Sequence, residues 1–272
     1  RKPTGGKVEL LLLEETGQGR WKGLVRGVGG EDTLPVLFDD PAWEATVTAG
    51  GQSGVRNIVF NRPDVAELMD VRGQIPIPPY IKSARGKDDR LRYQTTYADK
   101  TGSAAAPTAG MHFTPDLLDR LRERGVIVVP ITLHVGYGTF QLIESPDVSA
   151  HKLHSEYFRI SRLAARTINE SRARGGKIFA VGTTAVRTLE NSAAGSPDGS
   201  IVPGSGWTNL YLYGNHRFKA VDHMITNFHV PKSSLLVLAS AFAGRDKLFR
   251  AYQSAMDNGY RFFSYGDAML IL

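Results

Sequence analysis

The chain of 272 residues holds seven histidines and no cysteine, so its chemistry must rest on imidazole, carboxylates, hydroxyls and arginine. Thiolate nucleophiles, disulfides, iron–sulfur clusters and cysteine-ligated zinc are excluded. Two histidines stand in loops suited to close approach. Pro107-Thr108-Ala109-Gly110-Met111-His112-Phe113 delivers His112 through small residues just before a helix start, where a ligand can reach the backbone and anions are favoured. A tight turn with a structural histidine fits the same residues equally well. Thr226-Asn227-Phe228-His229-Val230-Pro231-Lys232-Ser233 likewise sets polar groups at a strand end ahead of a helix.

Other segments add anchoring groups. Gly182-Thr183-Thr184-Ala-Val-Arg187-Thr-Leu-Glu190 is a strand-to-helix turn whose free backbone donors and hydroxyls suit a carboxylate or phosphate. It lacks the lysine of a P-loop, and a well-capped helix with an Arg187–Glu190 i, i+3 pair is the plainer alternative. Thr132-Leu-His134-Val-Gly136-Tyr137-Gly138-Thr-Phe140 runs a strand into a glycine-spaced loop, the kind of strand end where open α/β sheets bind ligands. His151-Lys-Leu-His154-Ser-Glu156 has metal-compatible side chains, but no second cluster closes a shell, so no metal is expected. Near the C-terminus, Tyr260-Arg261-Phe262-Phe263-Ser264-Tyr265-Gly266-Asp267 mixes aromatics with one cation and one acid; it can stack on bases or dock the terminus on the core. Arg162, Arg166 and Arg172, with Asn169 between, stripe one helix face, while Lys82, Arg85, Lys87, Arg90 and Arg92 cluster in sequence. Each set is a candidate RNA contact or a solvated face.

The elements that must position these groups fall into two regions. Short apolar runs at 8–13, 21–25, 34–38, 45–47 and 55–60, cut by glycines, predict an antiparallel β domain, barrel-like because strands this short need a closed or packed sheet. Ile75-Pro-Ile-Pro-Pro-Tyr80 is an extended linker, giving domains 1–77 and 78–272. Beyond it, helices are expected at 114–125, 161–175, 183–193, 233–243 and 247–258, with strands at 126–135, 177–181, 211–213 and 221–225. The fold class is therefore mixed α/β: a larger α/β domain with a smaller antiparallel barrel-like one. The net charge of +6 hints at an anionic partner or simply at solubility. The longest apolar stretch, 235–242, falls short of the roughly 20 residues of a membrane span. A strand-like run begins at Lys7, six residues on from Arg1, so a further N-terminal segment is expected to precede this sequence.

Taken in order, Ile77-Pro-Pro-Tyr80-Ile81, Arg92-Tyr-Gln-Thr95, the Pro107 to Phe113 loop, the Thr132 to Phe140 loop, His151 to Glu156, Gly182-Thr183-Thr184, Thr226 to His229 and Tyr260 to Met269 resemble the S-adenosylmethionine:tRNA ribosyltransferase-isomerase family of queuosine biosynthesis. The β region is similar more loosely, through Thr4-Gly-Gly-Lys7 and the strand around Trp21. The resemblance implies that S-adenosylmethionine is a consumed ribosyl donor and that no separate cofactor takes part. The acceptor would be 7-aminomethyl-7-deazaguanine at the wobble position of a tRNA with a queuosine-type anticodon; the products would be epoxyqueuosine-tRNA, adenine and methionine. Such chemistry needs a base for the ribose C5′ proton that the sulfonium acidifies, a donor near departing adenine, an anchor for the methionine carboxylate and a slot for a splayed base.

On that footing His112 and His229 are expected to move protons, with Asp267 orienting one of them or holding the substrate amine. Thr183, Thr184 and Arg187 would anchor the carboxylate, and Tyr265 and Phe113 would stack on adenine or the deazapurine. Thr108, Gly110, His134, Gly136, Gly138, Asn227 and Arg261 complete the expected substrate site. A cytoplasmic monomer, away from membranes, is implied. The sequence departs from the family pattern at Ser83, at Gly214-Asn215-His216 and at Val230, which bears on RNA contact or loop shape rather than on the reaction. A methyltransferase, or a non-catalytic RNA-binding relative, are the competing readings.

Overall fold

The computed structural model describes residues 1–29, 32–50, 54–78, 81, 92–136, 138 and 142–272. Tyr80, Lys82, Ser83, Arg85, Lys87, Arg90, Tyr137 and Phe140 lie outside the described residues. The chain divides into two units, Arg1–Pro76 and Ile77–Leu272.

In the first unit, β1 (Glu9–Gly17), β2 (Arg20–Arg26), β3 (Thr33–Leu37), β4 (Glu44–Ala49) and β5 (Val55–Phe60) form one antiparallel sheet in the order β1-β2-β5-β4-β3. Period-two patterning puts Leu34 and Val36 of β3, and Ala45 and Val47 of β4, on the buried face. Ile58, Phe60 and Trp43 join them, and α1 (Val65–Arg72) caps the cluster with Val65 and Leu68. Pro35 sits in β3, an edge strand, where its missing N–H deprives no neighbour. Gly23 is dictated by packing, since a Cβ there would lie 2.5 Å from the Leu11 carbonyl oxygen and 2.7 Å from Ile58 Cδ1. The barrel-like closure expected from the short strands is corrected: among the described residues β1 and β3 are open edges joined by no ladder. Arg1 and Leu37 exchange two main-chain bonds near that seam, Leu37 N–H donating to the Arg1 carbonyl at 2.8 Å and the Arg1 ammonium donating to the Leu37 carbonyl, but these lie outside any strand pairing. Burial comes instead from α1 closing over one face of the sheet.

The second unit has two three-stranded sheets. In one, β10 (His223–Asn227) runs parallel to β8 (Phe179–Val181) and antiparallel to β11 (Ala268–Ile271). In the other, β7 (Glu156–Ile160) is flanked by antiparallel β6 (Thr132–His134) and β9 (Gly204–Thr208). The helices are α2 (Pro115–Glu123), α3 (Arg162–Ala173), α4 (Thr183–Ala193), α5 (Ser234–Ala243) and α6 (Arg245–Asp257). Their starts follow local capping chemistry: the hydroxyls of Thr114, Ser161 and Ser233 accept from the N–H groups of Leu117, Ala164 and Leu236. Helix α4 is buried along most of its length, Thr183 through Glu190, and forms the spine of the core with Phe158, Ile168, Met224 and Leu238.

Two expected strands are corrected. Of 126–135 only Thr132–His134 forms a strand, with Val135 in an isolated bridge to Ala105, and Val126, Ile127 and Val128 are 47, 55 and 37 % exposed, so an apolar run without a partner edge stays out of the core. Residues 211–213 pair with no strand among the described residues, although Leu212 is buried. In the arginine stripe on α3, Arg162 and Arg166 are exposed, whereas the last positions turn to a loop. Asn169 exchanges hydrogen bonds with the backbone of Ile201 (2.9 and 2.8 Å), and Arg172 donates to the carbonyls of Gly199 and Lys219, clipping a loop instead of facing RNA.

Candidate active site

β8 and β10 are parallel and end at Val181 and Asn227, so the polar turns that follow them open on one side of the sheet. Gly182, with φ of 93°, starts α4 there; its N–H donates to the Ile225 carbonyl at 2.8 Å, and a Cβ on it would stand 4.0 Å from Ala109 Cβ. This brings the 3₁₀ turn Thr108–His112 to the start of α4 and the end of β10. Gly110 is required in that turn because a Cβ would meet the Tyr97 hydroxyl at 2.3 Å and Thr95 Cγ2 at 2.7 Å. Tyr265 packs edge-on against Tyr93, with ring centroids 5.5 Å apart.

Asn227 joins the pieces. Thr108 Oγ1 donates to Asn227 Oδ1 (2.9 Å), and Asn227 Nδ2 donates to the Phe263 carbonyl (3.3 Å). A carbonyl only accepts, so the amide nitrogen must face Phe263, and its second N–H is directed at His112 Nε2, 3.3 Å away. His112 Nε2 therefore presents a lone pair and the ring proton resides on Nδ1. Phe263 holds φ of 72°, a left-handed conformation costing on the order of 1–3 kcal/mol for such a residue. Its N–H donates to the Phe228 carbonyl (2.8 Å), and its carbonyl also accepts from Gly266 N–H (3.1 Å). The strain delivers the acceptor that orients Asn227.

The charges around His112 are set by Arg261 and Asp267. Asp267 accepts from the Arg261 backbone N–H at 2.7 Å and from Arg261 Nη2 at 2.9 Å, which holds its carboxyl below the usual range. The pKa of His112 is lowered, chiefly by burial; Asp267 pulls it up and Arg261 pushes it down. His112 is thus a partly exposed imidazole kept neutral near pH 7.

His229 differs from its sequence reading. It is 8 % exposed, its Nε2 lies 2.8 Å from Thr226 Oγ1, and its backbone N–H donates to the Tyr252 hydroxyl at 2.8 Å. Burial pushes its pKa down to about 3, and burial also raises Tyr252 to about 12. The enclosed ring has positioning contacts where proton transfer was expected.

Arg187 is also redirected. Its Nη1 donates to Glu156 Oε2 at 2.5 Å, Nε to the Leu210 carbonyl at 3.0 Å and Nη2 to the Thr208 carbonyl at 3.3 Å, with both charged side chains almost wholly buried. Glu156 Oε1 accepts from Gly136 N–H at 3.2 Å. The suggested Arg187–Glu190 pair does not form: Glu190 turns away to accept from the N–H groups of Lys219, Ala220 and Val221 at 2.9–3.1 Å. Arg187, Glu156, Gly136, Gly138, His154 and Ser234 line a small recess, and a Cβ at Gly138 would lie 2.6 Å from the His154 ring. The recess adjoins α4 one turn beyond Thr183 and Thr184, about 6 Å along the axis. The Thr183 and Thr184 hydroxyls have no side-chain partner among the described residues.

Of the remaining predicted residues, Phe113 ends the 3₁₀ turn and its carbonyl accepts from the Thr96 hydroxyl at 2.8 Å. His134 lies on β6 with its ring edge-on to that of Tyr157, centroids 5.2 Å apart. Within the departing Gly214–His216 turn, Gly214 has φ of 61° and His216 Nε2 stands 3.8 Å from Glu190. His151 meets the Tyr211 ring, and Glu156 is committed to Arg187, so the residues of that sequence motif face different partners. Sequence reasoning missed Phe263, Tyr252 and Thr226 as positioning groups; only the polar spacing of Thr226, Asn227 and His229 hinted at the last.

The family model described as "Queuosine biosynthesis protein" matches residues 1–271. A Symbiobacterium thermophilum protein named S-adenosylmethionine:tRNA ribosyltransferase-isomerase is 50 % identical over 276 residues, covering 100 % of this chain and 79 % of that protein. A protein of the same name from Caldanaerobacter subterraneus subsp. tengcongensis is 48 % identical over 274 residues, with coverage of 100 and 79 %. The crystal structure of an S-adenosylmethionine tRNA ribosyltransferase from Thermotoga maritima aligns at a TM-score of 0.49 and 33 % identity, covering 97 % of this chain and 75 % of that one.

Proposed function

The chain belongs to the queuosine biosynthesis family, and from that premise we propose how its residues carry out the family reaction. It is an S-adenosylmethionine:tRNA ribosyltransferase-isomerase: it moves and isomerises the ribosyl group of S-adenosylmethionine onto 7-aminomethyl-7-deazaguanine at the tRNA wobble position, releasing adenine and methionine. The family match along residues 1–271 carries the reaction. The meeting of Thr108, His112, Asn227 and Phe263 at one strand end supports the assignment of roles.

His112 takes the sulfonium-acidified C5′ proton and returns a proton to the departing adenine, both within reach of an imidazole that is neutral near pH 7. Asn227 selects its tautomer. The Nε2 lone pair, capped by the Asn227 N–H at rest, takes the C5′ proton once that amide turns aside; with Oδ1 then facing Nε2–H, the amide holds the imidazolium at the expense of its bond to Phe263. Asp267, ionised beside Arg261, holds the incoming amine, which attacks as the neutral base; epoxide closure then expels methionine. Thr183, Thr184 and the free N–H groups of the first turn of α4 anchor the methionine carboxylate. Arg187 drops out of that set because its donors serve Glu156 and two carbonyls. Tyr265 and Phe113 offer rings to adenine or the deazapurine. S-adenosylmethionine is consumed, so this reading includes no resident cofactor. A cytoplasmic location and a monomeric state belong to the same reading; among the described residues no helix is long and apolar enough to cross a membrane.

Incubation with S-adenosylmethionine and tRNA bearing the deazaguanine precursor, followed by nucleoside mass spectrometry, tests it. The expected result is adenine release with gain of the epoxycyclopentanediol group; methyl transfer instead would establish a methyltransferase, and no modification would sink the reading.

A further inference from the structure

The sheet β6-β7-β9 has an unusual distribution of polarity. Its inward face carries Glu156 with Phe158 and Ile160, whereas its outward face carries aromatic rings. Strand register puts His134 opposite Tyr157 and Tyr157 opposite Trp207, so the three form one row across the sheet. Their rings meet edge-to-face, with centroids 5.2 and 5.7 Å apart. The next row on that face is Thr132, Arg159 and Ser205. Trp207 is 63 % exposed between the small residues Gly206 and Thr208, an expensive setting for the largest apolar side chain. Arg159 is exposed, has no ion-pair or hydrogen-bond partner among the described residues, and shares its two rows with no acid.

We infer that this face is a stacking platform for unpaired bases of the tRNA substrate, with Trp207 as the principal contact and Arg159 as its phosphate partner. Three features support an RNA loop as the occupant. Every base has a π-face, so an indole exposed on a sheet, as Trp207 is, binds unpaired bases without needing a particular sequence. The edge-to-face contacts hold the rings in place before binding, which reduces the ordering cost. A lone unpaired cation on an acid-free face complements phosphate, not a second basic chain of the same kind.

The inference rests on the tRNA-dependent reaction proposed above, and its test separates the two. Steady-state kinetics of the full chain are compared for wild type, Trp207→Ala and Trp207→Phe, with folding checked by circular dichroism. Loss of base stacking at about 1–3 kcal/mol corresponds to roughly a 5- to 150-fold rise in the KM for tRNA. Trp207→Ala is expected to show that rise with the KM for S-adenosylmethionine unaltered, and Trp207→Phe to restore most of the tRNA affinity. An anticodon stem-loop RNA should quench the Trp207 part of the fluorescence, taken as wild type minus Trp207→Phe, while a fully paired duplex should not. Arg159→Ala should lower the salt dependence of tRNA binding. An unchanged KM for tRNA in an active Trp207→Ala enzyme overturns the platform and leaves the reaction standing. If wild type forms no product, the reaction reading fails and the quench alone decides the platform. A wild-type dimer that Trp207→Ala converts to monomer would make this face a self-association surface and overturn the inference.

Discussion

Arg187 and Glu156 form a contact of 2.5 Å at 6 and 3 % side-chain exposure, and the fold supplies carbonyls and an N–H for their remaining capacity. His112 and Asn227, near the N-terminal end of the same helix α4, are 3.3 Å apart, and the imidazole is only partly buried. The first pair looks more like an active site on paper, being two strong charges beside a glycine loop. Physically it is the more structural of the two. Removing charges from water is costly, and such a pair persists only where its partners are complete, which leaves little capacity for a substrate. The His112 cluster has the opposite character: neutral groups, a carbonyl on a strained residue, a selected tautomer and a ring that is only partly buried. In this molecule, completeness of partners separates framework from chemistry better than residue type does.

That contrast can be broken in four ways, from the largest expected effect downward. Replacing His112 with Ala should lower kcat by about 10²–10⁴-fold, the range for loss of an acid–base group, with thermal stability unchanged; pre-steady-state adenine release measures it. Arg187→Ala should do the reverse, costing about 3–5 kcal/mol in urea unfolding because Glu156 is left as a buried charge. The double change Arg187→Met with Glu156→Gln should recover much of that loss.

The third test uses pH. His229 has a folded-state pKa of about 3 against 6.5 for an imidazole in water, so the unfolded chain binds a proton that the folded chain refuses. Its contribution is therefore complete above about pH 6.5 and is lost as pH falls toward 3, at about 1.4 kcal/mol per unit. Denaturant titrations of wild type and His229→Gln should differ by this slope. The smallest effect on stability is expected from Asp267→Asn. Asp267 raises the His112 pKa, so its removal should move the acid limb of the kcat/KM profile to lower pH while barely altering stability, since the Arg261 pair is solvent-exposed.

Much of this arrangement is readable from local chemistry. Thr114-Pro115-Asp116, Ser161 and Ser233 announce helix starts because capping is decided by residues three apart. Small residues around Gly110 and Gly182 mark close approach for the same local reason. The partners of Arg187, by contrast, come from β7, β9 and the segment after it, and no spacing rule connects residue 187 with 156, 208 and 210. β7 itself was hidden because Glu156 occupies an inward position and breaks the apolar alternation that marks a strand. Phe263 illustrates another limit: nothing in an aromatic side chain signals a left-handed backbone, which only tertiary contacts to Phe228 and Asn227 sustain. The open edges of the first sheet were missed for a related reason, since short strands demand cover but do not say whether a strand or α1 provides it.

The most direct test of the division between framework and chemistry is single-turnover conversion of precursor-bearing tRNA by His112→Gln, read by nucleoside mass spectrometry beside wild type. The account predicts epoxyqueuosine formation slowed by at least about a hundredfold, with the melting temperature and S-adenosylmethionine affinity of wild type retained. Product forming at the wild-type rate would contradict it and remove His112 from the reaction.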